Sequence, residues 1–278
     1  MTEDVIDSHH HLWTSGYAWL AEPELAPIRR DYTVDDLRAQ LSRAGVAKTV
    51  LVEAGRGDDA ETTEFLALAA GTPEIAAVVG WADPLDPRLA EKLAAHRAGP
   101  GGAKLAGVRS QIQAESDPDF LARPDVIDGL AVIADAGLAF DLVIRAEQLP
   151  GAVVAARSLP HARLVLDHLG KPRIRTGAFS AWRTAVEYLA ACPTVVAKLS
   201  GLVTEADWTG WQLDDLRPYA HVALEFFGPD RLLWGSDWPV VEVAGGYERW
   251  LAAARDLVPA DLHPAVFAAN AARTYGLD

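Results

Sequence analysis

Apolar, β-branched runs recur along the chain about every thirty residues, separated by stretches in which apolar and polar positions alternate with helical period. Eight runs predict strands: Val5–His11, Thr49–Glu53, Ile75–Trp81, Leu105–Gln111, Leu138–Ile144, Leu164–His168, Val195–Ser200 and Leu232–Trp234. They are almost continuously apolar, as strands buried on both faces must be. The intervening stretches carry helix punctuation. Thr33 with Asp36 predicts an N-cap, and Gly45 the end of that helix. A helix from Asp59 closes at Gly71, one opened by Pro87 ends at Gly99, and one opened by Pro124 ends at Gly137. Strand and helix alternating eight times predict a (β/α)8 TIM barrel, with residues 1–278 as a single domain. Trp- and Pro-rich irregular stretches, 13–30 and 204–211, follow the first and seventh strands, at the end where such barrels keep their active sites.

Composition narrows the partners. A formal charge of −14 and a pI near 4.9 argue against nucleic acid or an anionic membrane surface, and in favour of a small molecule. The only cysteine, Cys192, precludes an intramolecular disulfide and reads as packing. Met1–Asp4 is acidic where a signal peptide would be basic, and no apolar run reaches membrane-spanning length, so a cytoplasmic location is expected. Oligomeric state has no signature in the sequence.

The chemistry-bearing residues share one position. The first strand ends in His9, His10 and His11, the sixth in His168, and Asp237 follows the eighth; Glu53 and Arg109 close the second and fourth. Successive side chains on a strand alternate faces, so His9 and His11 point together and His10 points away. Strand ends so distant in sequence converge only when the strands lie side by side, as a parallel barrel arranges them.

Asp7-x-His9-x-His11, Asp167-His168-Leu169-Gly170-Lys171-Pro172 and Gly235-Ser236-Asp237-Trp238-Pro239 together resemble the amidohydrolase superfamily, and within it the sugar-lactonase branch of fuconolactonase- and rhamnonolactonase-like enzymes. Val79-Gly80-Trp81, Gly107-Val108-Arg109 and Lys198-Leu199-Ser200-Gly201-Leu202 extend the resemblance over the whole chain. It implies a hydrolase that opens a sugar-acid lactone, with the acid after strand eight, Asp237, handling the water. Arg109, a protonated imidazole such as His168, or a metal would then stabilise the carbonyl oxygen.

The chain departs from the two-metal members of that superfamily, which place a bridging Lys or Glu on strand four and a His on strand five; here those strands carry Arg109 and Asp141. At most one divalent ion such as Zn²⁺ is therefore expected, held by His9, His11 and Asp237 with Glu53 or His168, and a metal-independent site remains open. Trp13, Trp81, Trp208, Trp211 and Trp238 fall at strand ends or in the loops beyond. Trp13, Trp81 and Trp238, with Lys171, are the candidate contacts for a sugar ring. Two rivals stand beside the lactonase: a one-metal decarboxylase of the same superfamily, disfavoured because strand five lacks a His, and a non-catalytic sugar-binding barrel, disfavoured because His9, His11 and Asp237 are all present.

Overall fold

Each apolar run forms a strand: β1 (Val5–His10), β2 (Val46–Val52), β3 (Ile75–Trp81), β4 (Leu105–Ser110), β5 (Ala139–Leu142), β6 (Arg163–Leu166), β7 (Val195–Leu199) and β8 (Leu232–Trp234). In this computed structural model, which describes residues 5–277, the strands pair in parallel in chain order with helices between them, giving a (β/α)8 barrel. The acidic Met1–Asp4 stretch lies outside the described residues.

Helix boundaries follow the punctuation. Thr33 and Asp36 form a reciprocal capping box on Val34–Ala44, which ends at Gly45. Asp59–Ala70 and Pro124–Asp135 start where expected. The helix expected from Pro87 begins instead at Leu89. The Asp86 carboxylate accepts the Arg88 N–H at 2.8 Å, and this local turn competes with the first helical residues.

Alternation along the strands separates two cores. Leu51, Val78, Val108, Phe140 and Leu166 face the helices. Ile6, Val50, Val52, Ala77, Val79, Val165 and Leu233 fill the barrel interior, against Ala271 and Tyr275 of the last helix, Asn270–Tyr275. Each fully buried aliphatic side chain contributes about 1.5–3 kcal/mol, so the interior is a packed plug and not a channel.

β8 meets β1 through side chains and loop backbone in place of a strand ladder. Ser8 Oγ donates to the Trp234 carbonyl at 2.7 Å, and Asp7 accepts the Ser236 N–H at 2.8 Å and the Tyr247 hydroxyl at 2.9 Å. Gly235 permits this approach, since a Cβ there would lie 2.7 Å from that of His9. The seam fixes His9 relative to Asp237, whose N–H donates to the His9 carbonyl at 2.8 Å. Among the described residues, no helix is long and apolar enough to cross a membrane.

Candidate active site

The strand ends open into a cavity of about 490 Å³ whose lining includes His11, Trp19, Arg109, His168, Lys171 and Asp237. At its floor Asp237 Oδ1 stands 3.7 Å from His9 Nε2, 3.6 Å from His11 Nε2 and 3.8 Å from His168 Nε2. The two β1 imidazoles approach to 3.1 Å between their Nε2 atoms. His10, on the opposite face, reaches Thr49 Oγ1 at 3.0 Å and takes no part.

Unusual backbone aims these groups. His168, Leu169, Gly170 and Lys171 are all left-handed, with φ of 53°, 51°, 70° and 48°. Each non-glycine residue so placed costs about 1–2 kcal/mol, and such strain persists only where surrounding structure over-determines it. Trp182 Nε1 clamps the Leu169 carbonyl at 2.7 Å, and Ser200 Oγ holds His168 Nδ1 at 2.9 Å. Gly201 lies against the same imidazole, where a Cβ would come within 2.5 Å of Nδ1. The turn presents both His168 and Lys171 to the cavity. Asp237 is left-handed as well, with φ of 58°.

Burial sets the charges. It lowers the His168 imidazole to about 4 and, together with the Lys198 cation, holds His9 well below its ordinary value. Both are therefore uncharged at neutral pH. Burial alone would raise the Asp237 carboxyl, but the facing His168, His11 and His9 hold it well below the usual carboxylate range. The cavity floor thus offers an ionised carboxylate ringed by imidazole nitrogens.

That donor set fits one divalent ion. His9, His168 and Asp237 present ligand atoms within 4.8 Å of one another. The 3.1 Å between His9 Nε2 and His11 Nε2 matches two nitrogens each about 2.0–2.1 Å from a shared Zn²⁺. Among the described residues, the buried carboxylates Glu53, Asp141 and Asp167 share two fixed cations, Arg109 and Lys198, while Asp237 faces imidazoles, so added positive charge is electrostatically favoured here.

Several expected roles change in the structure. Glu53, expected as a metal ligand, is fully engaged elsewhere: Oε1 accepts from Arg109 Nε at 2.6 Å and Gln111 Nε2 at 2.5 Å, and Oε2 from the Gly55 N–H at 2.8 Å. Arg109 lines the cavity as expected, but it also sits in a buried double ion pair, with NH1 2.9 Å from Asp167 Oδ2 and NH2 donating to the Glu53 carbonyl at 2.6 Å. Its planar fork spans both acids, which a rim position would not allow.

The expected sugar-contacting tryptophans Trp13, Trp81 and Trp238 do not line the cavity. Trp238 is fully buried against Tyr32, and Trp13 packs edge-on to Trp19 at 5.1 Å. Trp211 is buried with its indole N–H on the Ala244 carbonyl, and Trp208 donates to the Thr204 carbonyl. The aromatic wall is Trp19, tied by Nε1 to the Ala54 carbonyl at 2.8 Å. Lys171 does line the cavity, and Gln111, Gln113, Arg145 and Thr204, which the sequence did not single out, join it.

Comparison with known proteins bears on this geometry. A family model described as amidohydrolase matches residues 6–277. An L-fucono-1,5-lactonase from Burkholderia multivorans is 39% identical, with 98% of this chain and 96% of that protein covered. An L-fucono-1,5-lactonase from Burkholderia ambifaria is 37% identical over the same shares. The crystal structure of an amidohydrolase from Burkholderia multivorans with bound Zn superimposes with a TM-score of 0.91 at 37% identity, covering 99% of this chain and 100% of that one.

Proposed function

The chain belongs to the amidohydrolase family, and from that premise we propose that it hydrolyses a sugar-acid lactone to the open aldonic acid, with Asp237 handling the attacking water. One observation carries this reading: an ionised carboxylate ringed by three imidazoles at the floor of an open cavity. The names of the two full-length relatives support the substrate class.

A lactone is an ester, so its opening needs a deprotonated water and a partner for the charge that develops on the carbonyl oxygen. Asp237 accepts the water's proton, with uncharged His168 3.8 Å away to take it onward to the departing ring oxygen. Arg109 lines the same cavity and would place a permanent positive charge near the carbonyl oxygen. Gln111, Gln113 and Thr204 suit the sugar hydroxyls, the Trp19 face suits the C–H side of the ring, and Lys171 with Arg145 meets the carboxylate that opening creates. When bound, a divalent ion on His9, His11, His168 and Asp237 would supply Lewis acidity and an acidified water. That a 37%-identical amidohydrolase has a crystal structure with bound Zn supports a role for a divalent ion.

The test is a pH-indicator assay of purified protein on a panel of 1,4- and 1,5-aldonolactones that includes L-fucono-1,5-lactone, with and without a chelator. Acid release well above the uncatalysed rate on at least one lactone is expected. No acceleration on any of them would overturn the reading, and the chelator arm decides whether an ion is needed.

A further inference from the structure

Behind His9, away from the cavity, lies a second cluster that the lactonase reading leaves without a role. His9 Nδ1, Asp141 and Asp167 present ligand atoms within 4.8 Å of one another, all from fully buried residues. At their centre is the side chain of Lys198 on β7, itself fully buried, with Nζ 2.5 Å from Asp141 Oδ2, 3.0 Å from Asp167 Oδ1 and 3.0 Å from His9 Nδ1. Asp167 Oδ1 faces both this ammonium and His9 Nδ1, the latter at 3.3 Å. The other edges are taken: Arg109 NH1 binds Asp167 Oδ2, and the Tyr275 hydroxyl donates to Asp141 at 2.8 Å.

We propose that the Lys198 ammonium is the resident cation of this deeper cluster, that it excludes a divalent ion from it, and that through His9 Nδ1 it is a positioning residue for the catalytic floor. Nitrogen and carboxylate ligands hold Zn²⁺ at about 2.0–2.2 Å, so a small contraction of the atoms now around Nζ would make an ion site. The ammonium occupies that point and, together with Asp167 Oδ1 at 3.3 Å, fixes the rear edge of His9. The front edge, Nε2, is thereby directed at His11 and Asp237. A cation carried by the chain needs no external supply, and it satisfies two carboxylates that would be costly to bury unpaired.

The test compares Lys198→Ala, Lys198→Met and the double variant Lys198→Ala/Asp141→Asn with the wild type. Zn²⁺ per chain is counted by elemental analysis after equilibration in Zn²⁺ and gel filtration. Lys198→Ala should carry one more ion than the wild type, because it removes the ammonium and leaves space. Lys198→Met, which fills the space without charge, and the double variant, which removes a ligand, should carry no more than the wild type. With His9 loosened, Lys198→Met should lose more than tenfold in kcat on the best lactone while KM stays within about twofold. A variant that folds only when Zn²⁺ is present, and then carries the additional ion, supports the proposal. Folded Lys198→Ala with the wild-type count, or Lys198→Ala that Zn²⁺ does not rescue, overturns it. The ion count does not depend on any lactone being a substrate, so its failure is distinct from failure of the lactonase reading.

Discussion

His9 belongs to two clusters of similar composition, and the two edges of its ring meet different fates. Nε2 faces His11 and Asp237 across the floor of an open cavity, while Nδ1 faces Lys198, Asp141 and Asp167 in the closed barrel. In the outer cluster the donor atoms border the open cavity, with Arg109 at their edge; in the inner one an ammonium stands at their centre. Imidazoles and carboxylates at similar separations thus give a reactive site where a position is left open and a structural one where the chain supplies its own cation. Arg109 connects the two, touching His9 Nε2 at 3.3 Å and Asp167 Oδ2 at 2.9 Å.

The largest expected effect breaks that connection. Arg109→Ala leaves the buried Glu53 without a cationic partner and Asp167 with Lys198 alone, and should cost roughly 3–5 kcal/mol of stability, read by denaturant unfolding. Arg109→Lys should recover only part of this, because one ammonium cannot span both acids. Wild-type stability in Arg109→Ala would confine the residue to the chemistry of the outer cluster.

A pH profile tests the outer cluster separately. With its imidazole lowered to about 4, His168 stays uncharged well below the ordinary 6.5, so kcat/KM should be level from pH 7 to pH 5 and fall towards pH 4. A fall centred near 6.5 would mean an imidazole without this burial. Stability follows the same sign. Unfolded His168 takes up a proton near 6.5 and folded His168 does not until about 4, so its contribution is complete above 6.5 and is lost as pH falls through that window. Asp7, raised to about 6 by burial at the seam, runs the other way over the range from 6 to 3.8 and should make the stability curve shallower than the activity curve.

The smallest effect lies deepest. Tyr275→Phe removes one donor from Asp141 and should cost about 0.5–1.5 kcal/mol in melting experiments while leaving kcat unchanged, because Lys198 still holds the inner cluster. A large loss of kcat would show that the inner cluster is tuned from the barrel floor.

Much of this architecture was legible in the sequence. Strand-terminal His9, His11, His168 and Asp237 meet because parallel strands in chain order bring their C-terminal ends together, which follows from periodicity and connection rules. The partners of Glu53 and Arg109 were not legible, since they depend on how far side chains reach across staggered strands. Trp19 in place of Trp13 as the cavity wall depends on the path of an irregular loop. The left-handed turn at 168–171 has only Gly170 as a local signal and is held by the distant Trp182 and Ser200. Lys198 did have a signal. A charged residue inside a run as apolar as Val195–Leu199 is almost never fully buried without a partner, and Asp141, equally out of place in β5, is that partner.

The central claim is that the outer cluster opens a lactone ring through Asp237. The most direct measurement is the rate of Asp237→Asn on the best lactone, beside the wild type at matched folded concentration. The amide accepts no proton from water, so turnover should fall by about a hundredfold or more with the melting curve of a folded protein retained. Near-wild-type turnover in folded Asp237→Asn would contradict the account and place the water chemistry elsewhere in the cavity.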